Sequence, residues 1–135
     1  MHIFVNRQFR KFAVDSRIAD ASLCKAVREI STGLAHANLG AGVYKQRIAR
    51  KGQGKSGGFR TIIFFRAHKT AFFILGFAKN AQDNLDRNEI AGLKDLAGRM
   101  LNYDEQTIAL ALKNGALEEV VCEENLSQSG LRGYP

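Results

Sequence analysis

Apolar and polar positions in the middle of the chain predict three consecutive strands. From residue 43 to 50 the side chains alternate between the two sides of a strand. Residues 59–66 and 71–78 are almost continuously apolar and rich in phenylalanine and isoleucine. Such runs are typical of strands that are covered on both faces. The short segment 67–70 between the last two strands predicts a hairpin loop.

Helical spacing occupies the chain before these strands. Residues 3–5 predict a short first strand, and apolar residues then recur three and four positions apart from about 7 to 36. Asp15 and Ser16 interrupt the pattern, so we expect two helices, with one of these residues capping the second. The glycines at 40 and 42 predict a loop before the strands.

Helical spacing returns after the strands. The first helix there has Asn84 or Asp86 as its expected cap, and a second is expected from about 104 to 114. Gly115 suits the end of that helix. The acidic stretch 118–124 is expected to be a solvated tail or helix end, with folding over the basic face of the free protein as the alternative. The order β-α-α-β-β-β-α-α predicts an α+β fold in which helices cover a sheet.

Length and cysteine content narrow the class of protein. A chain of 135 residues is most simply one domain with its own core. It shows no secretory signal pattern at its start, and no apolar run approaches the roughly 20 residues of a membrane span. Cys24 and Cys122 lie far apart without metal-ligand spacing. We expect reduced cytoplasmic thiols, with a disulfide or redox pair as the alternative.

Positive charge is concentrated in one part of the chain. The net charge is +7 with a pI near 9.7, which favours nucleic acid, ribosomes or anionic surfaces as partners. No acidic residue occurs between Glu29 and Asp83. Six cations and four glycines lie within 44–60. These cations are Lys45, Arg47, Arg50, Lys51, Lys55 and Arg60.

The glycine-rich stretch within 44–60 is not a nucleotide-binding loop. Gly54-Lys55-Ser56 would need a glycine five positions earlier, where Ala49 stands, and a helix directly after the lysine. A strand pattern follows instead. A solvated flexible loop is one interpretation. The interpretation we favour is a loop that lets the backbone approach RNA or DNA while cations hold phosphates.

The strand cations point to phosphate chemistry. Lys45 and Arg47 share one side of their strand, opposite Gln46, and Arg60 can lie near them if the next strand pairs antiparallel. Clustered cations repel one another, so a bound polyanion accounts for them better than a structural role. Phe59 could stack on a base or belong to the core.

Conventional catalytic sets are missing from the sequence. The three histidines are scattered, and no Cys/His cluster suggests zinc. A nuclease built from this chain would therefore stabilise the pentacoordinate phosphate with cations.

Three segments taken together resemble the RelE/ParE superfamily of toxins from bacterial type II toxin–antitoxin systems, closest to its HigB-like and RelE-like branch. These segments are 44–49, 52–60 and 76–80. The resemblance implies an α+β, microbial-ribonuclease-like fold, with an N-terminal helical hairpin packed on a small antiparallel sheet and C-terminal helices. It assigns 1–101 to the toxin domain, 102–126 to a C-terminal helical extension and 127–135 to a disordered tail.

The same resemblance implies ribosome-dependent cleavage of messenger RNA. The RNA 2′-hydroxyl attacks the adjacent phosphate, without a metal ion or nucleotide cofactor. A cytoplasmic bacterial protein is implied, with a cognate antitoxin, the ribosome and mRNA as partners. The implied catalytic residues are Lys45, Arg47, Arg60 and Lys79. The residues expected to bind mRNA or the ribosome are Arg50, Lys51, Lys55, Phe59 and Asn80.

Two departures from RelE leave the general acid unassigned. Asn80 stands where that toxin has a second basic residue, and the tyrosine that RelE carries shortly afterwards has no counterpart here. Lys55, Lys79 or His68 could substitute. Two alternatives are a ParE-like inhibitor of DNA gyrase and a non-catalytic nucleic-acid-binding module or degenerate toxin. A phosphate clamp on the strands favours the nuclease, because gyrase inhibition does not require one.

Overall fold

Ten elements of secondary structure follow one another in a computed structural model that describes residues 1–50, 57–78 and 85–122. They are β1 (His2–Asn6), α1 (Arg7–Asp15), α2 (Asp20–Ser31), β2 (Ala37–Gly40), β3 (Val43–Ile48), β4 (Phe59–Arg66), β5 (Thr70–Ala78), α3 (Arg87–Met100), α4 (Glu105–Lys113) and β6 (Leu117–Val120). The expected α+β class is confirmed. The predicted bounds of β4 agree with the structure to the residue, whereas β2 and β6 were not predicted.

The strands form a six-stranded sheet in the order β2-β3-β4-β5-β1-β6. Neighbouring strands are antiparallel except β1 and β5, which are parallel. The first strand predicted at residues 3–5 is confirmed, so the fold does not begin with the helical hairpin that the resemblance implied. The expectation of an antiparallel sheet is also wrong, because β1 runs parallel to β5. The reason lies in Ile3, Phe4 and Val5, which are at most 5% exposed. Three consecutive buried residues need cover on both faces, which an interior strand receives.

Helices cover both faces of the sheet. On one face Phe9 of α1 and Leu23 of α2 pack with Ile63 and Phe73, and we call this the α1/α2 face. On the other, the α3/α4 face, residues such as Met100 of α3 pack with the second set of strand side chains. That set includes Phe4, Ile62, Phe64 and Phe72. The prediction that the two apolar strands are covered on both faces is confirmed.

Side-chain caps define the C-terminal helices. The backbone N–H of Glu89 donates to the side chain of Asp86, and Glu89 accepts in return from the backbone of Asp86, which confirms one of the two caps predicted for α3. Asp104 caps α4 and accepts from the backbone N–H of Thr107, and this bond lowers the pKa of the Asp104 carboxyl. Gly115 follows α4 with φ +82°, a conformation that favours glycine.

The start of α2 and the residues beyond α4 differ from the sequence analysis. Ser16 ends α1, and α2 begins at Asp20 after Ala19, which makes no side-chain cap, so capping of α2 by Asp15 or Ser16 was a wrong prediction. Residues 117–120 form β6 on the edge of β1. The expected tail at 127–135 lies outside the described residues. None of the helices in the described ranges is long and apolar enough to cross a membrane.

Cys24 and Cys122 form a disulfide, so the expectation of reduced thiols is wrong for this structure. Cys24 lies in α2, and Cys122 follows β6, whose pairing with β1 brings it against the helix. Their Cα atoms are 5.8 Å apart, a separation that suits a disulfide, and their side chains are buried in the core of the α1/α2 face. The distance of 98 residues along the chain concealed this contact at the level of sequence.

Candidate active site

The pairing of β3 with β4 brings the predicted strand cations together. Arg47 is directly opposite Arg60, and Lys45 is opposite Ile62. Directly opposed residues share a face of the sheet. Ile62 belongs to the core of the α3/α4 face, which therefore also carries Lys45, Arg47 and Arg60. The antiparallel pairing on which their proximity depended is confirmed, and we call these three residues the cationic triad.

The cationic triad is partly enclosed by the fold. Arg60 is only 5% exposed, and Lys45 and Arg47 are half-buried. Within the described ranges, Nε of Arg47 is enclosed and has no hydrogen-bond partner. Like charges opposite each other on neighbouring strands destabilise a sheet, and the penalty grows where water is excluded. An anion lying across the two arginines would reduce their mutual repulsion and could accept a hydrogen bond from Nε of Arg47.

Gly58 allows the backbone before β4 to approach the backbone at the end of β3 closely. A Cβ atom on residue 58 would overlap the backbone carbonyl oxygen of Ile48 and lie 2.9 Å from the backbone nitrogen of Arg50. Neither atom belongs to a flexible side chain that could move away. Gly58 stands two residues before Arg60. The close approach of the β3 and β4 backbones at Gly58 therefore helps to hold Arg47 opposite Arg60.

We expect Gly58→Ala to destabilise the protein by about 1–3 kcal/mol, because the backbone of β3 must move to admit the methyl group. Chemical denaturation would measure this change. Gly92→Ala is the matched control, since Gly92 lies in α3 with nothing within 4 Å of its would-be Cβ. Replacing a helical glycine there should stabilise by about 0.5–1 kcal/mol. Equal effects of the two substitutions would contradict a tight approach at Gly58.

A buried amide separates the two cations of β3. Gln46 is 1% exposed and lies on the α1/α2 face. Its Nε2 donates to Oε1 of Glu29 at 2.9 Å, and its Oε1 accepts from the backbone N–H of His36 at 2.8 Å. The sequence analysis placed Gln46 opposite Lys45 and Arg47 but assigned it no role. A polar side chain among core positions was the available signal, because buried amides need partners.

Phe59 does not lie with the cationic triad. It is 5% exposed on the α1/α2 face, and its ring makes an edge-to-face contact with Phe12 at 5.5 Å. The guanidinium of Arg50 lies over the same ring, 5.3 Å from its centroid. The core alternative is the correct one, and base stacking by Phe59 is a wrong prediction for this conformation. Arg50 follows the end of β3, is exposed, and lies over a ring on the face opposite the cationic triad.

His68 is too distant to act on the same phosphate as Arg60. It lies in the turn between β4 and β5 with φ +64°. At about 3.3 Å per residue, the strand from Arg60 to Arg66 alone spans roughly 20 Å. The suggestion that His68 replaces the missing general acid is therefore wrong. Lys51, Lys55, Lys79 and Asn80 lie outside the described residues.

Comparison with known proteins identifies the family. The family model described as the RelE toxin of the RelE/RelB toxin–antitoxin system matches residues 1–120, which includes every element from β1 to β6. No curated protein matches the chain. The match includes the cationic triad and extends past residue 101 through α4 and β6. The chain thus belongs to the RelE family of toxins, whose members pair with an antitoxin.

Proposed function

We propose that this toxin is a ribosome-dependent endoribonuclease that cleaves mRNA and thereby inhibits translation. The observation that carries the proposal is the direct opposition of Arg47 and Arg60 on one face of the sheet, with Lys45 beside them. Three cations on one face of two neighbouring strands suit a phosphodiester better than a protein surface, because they can hold both its oxygens and the charge that develops on them.

The reaction that fits these groups is internal transfer of a phosphoryl group. The 2′-hydroxyl of one nucleotide attacks the adjacent phosphorus, and the bond from phosphorus to the 5′-oxygen of the next nucleotide breaks. The products carry a 2′,3′-cyclic phosphate and a 5′-hydroxyl. Arginine does not lose its proton in proteins, so we assign removal of the 2′-hydroxyl proton to Lys45, which accepts it in its neutral amine form. Arg47 and Arg60 stabilise the pentacoordinate phosphate.

The other predicted cations have supporting roles in this proposal. We assign Arg50, Lys51, Lys55 and Asn80 to contact with mRNA or ribosomal RNA. The exposure of Arg50 on the opposite side of β3 from the cationic triad supports docking rather than chemistry. Lys79 is the fourth proposed catalytic cation, and Lys55 and Lys79 are the candidates for protonation of the leaving 5′-oxygen. The setting is the cytoplasm of a bacterium, where an antitoxin restrains the protein.

Induced expression in bacteria tests the proposal. We expect growth arrest, with transcripts cut inside translated codons and 5′-hydroxyl ends at the cuts. A transcript whose start codon has been removed should stay intact in the same cells, because it does not enter the ribosome. Arrest with intact mRNA and a DNA-damage response would instead indicate gyrase as the target. Absence of arrest would indicate a binding module without catalysis.

A further inference from the structure

Half of β3 lies beyond the end of its outer neighbour. β2 pairs with β3 only at Val43, Tyr44 and Lys45, while β4 pairs with β3 as far as Ile48. The segment from Gln46 to Ile48, which contains Arg47, therefore forms the edge of the described sheet. An edge segment lacks the second ladder of backbone hydrogen bonds that fixes an interior strand.

The side chain of Gln46 supplies hydrogen bonds where the backbone ladder to β2 has ended. The last backbone pair joins Ala37 to Lys45, and the next residue outward, His36, donates its N–H to Oε1 of Gln46 at 2.8 Å. Nε2 of Gln46 ties the same strand to Glu29 of α2 at 2.9 Å. On the inner side, Oγ1 of Thr61 donates to the backbone oxygen of Gln46 at 2.8 Å. Residue 46 is thus held from three directions.

This anchor determines where the flanking cations lie. Successive side chains of a strand point to opposite faces, so fixing Gln46 on the α1/α2 face fixes Lys45 and Arg47 on the other. The amide is also neutral, so it satisfies the Glu29 carboxylate without adding a third cation between two others. A leucine would fill a similar volume but would leave the His36 N–H and the carboxylate without these partners.

We infer that Gln46 is a positioning residue for the cationic triad, which sets Lys45 and Arg47 against Arg60 without itself touching RNA. The inference rests on the proposed ribonuclease function. Its consequence is kinetic: cations misplaced by about 1 Å can lose on the order of 100-fold in rate, while a docking surface elsewhere keeps its affinity. Loss of the anchor should therefore lower kcat and leave KM unchanged.

The test compares Gln46→Leu with wild type on purified ribosomes carrying mRNA. We expect kcat to fall at least 10-fold with KM and ribosome binding unchanged, in protein whose folding is checked by circular dichroism. Gln106→Leu, the same substitution on the exposed face of α4, should cleave as wild type does. A purely structural role would instead reduce the active fraction, so that the apparent kcat would fall only in proportion to the folded protein.

If Gln46→Leu does not fold, exchanging the amide of residue 46 with the carboxylate of residue 29 provides a second test. Gln46→Glu places two carboxylates together and should slow cleavage, whereas Gln46→Glu with Glu29→Gln restores an amide–carboxylate pair and should recover most of the rate. Wild-type kcat in the single Glu variant, or no recovery in the double variant, would overturn the positioning role alone. A wild-type protein that leaves ribosome-bound mRNA intact would overturn the proposed function and the positioning role with it.

Discussion

Arg60→Ala is expected to slow cleavage of ribosome-bound mRNA by about 10²–10³-fold while the protein stays folded. Removing one preorganised group that stabilises transition-state charge typically costs about 10²–10³-fold in rate. Arg60 is almost fully enclosed, so water screens its charge poorly and its contribution should reach that range. Arg60→Lys should retain part of the rate, because it keeps the charge but loses the planar fork that can hold two phosphate oxygens.

Arg66→Ala is the matched control for this measurement. Arg66 lies on the same strand and the same face, but at the other end, where it is exposed and donates to the backbone oxygen of Leu101 at 2.8 Å. Single-turnover cleavage assays on purified ribosomes should show wild-type rates for Arg66→Ala. If folded Arg60→Ala protein cleaved mRNA as fast as the control, the reacting phosphate would have to be held elsewhere.

Reduction of the Cys24–Cys122 disulfide is expected to lower the free energy of unfolding by about 4 kcal/mol. The two cysteines are 98 residues apart, and a cross-link that closes so long a loop strongly restricts the unfolded chain. In the folded protein the bond joins α2 to the residue just beyond β6. Denaturant titrations with and without a thiol reductant would measure the difference as a shift of the unfolding midpoint.

The double variant Cys24→Ser/Cys122→Ser provides the control for the reductant itself. Its unfolding midpoint should lie near that of the reduced wild type and should not respond to reductant. Identical midpoints for oxidised and reduced wild type would show that the cross-link does not stabilise the fold. Because the disulfide lies at the α2–β6 contact rather than among the cationic triad, reduced protein that is still folded should cleave mRNA normally.

Local patterns in the sequence predicted the interior of the sheet well and its edges poorly. β4 and β5 are long and contain continuous apolar runs, so their burial is visible in the sequence. β2 and β6 have four residues each, and each exists only because it pairs with a strand that is already anchored. Glu118 and Glu119 of β6 are exposed, so local composition resembled a solvated tail.

The candidate site was predictable as far as strand pairing determines it. Two cations at alternate positions and a third on the next strand were enough to place Lys45, Arg47 and Arg60 on one face. The role of Phe59 could not be inferred in the same way, because an aromatic residue in a strand suits a core and a base-stacking surface equally. The anchor at Gln46 depends on Glu29 and His36, whose approach is set by the path of α2 rather than by any local spacing.

The position of β1 has a consequence for folding of the toxin during its synthesis. β1 is synthesised before the other described elements, yet it lies between β5 and β6, and Ile3 pairs with Ala71 on one side and with Val120 on the other. Pairings so distant along the chain have a high contact order and form slowly. Because synthesis proceeds from the N-terminus, the sheet remains incomplete until residue 120 has been made. A nascent chain that still lacks β6 therefore cannot present the finished sheet to the ribosome that is producing it.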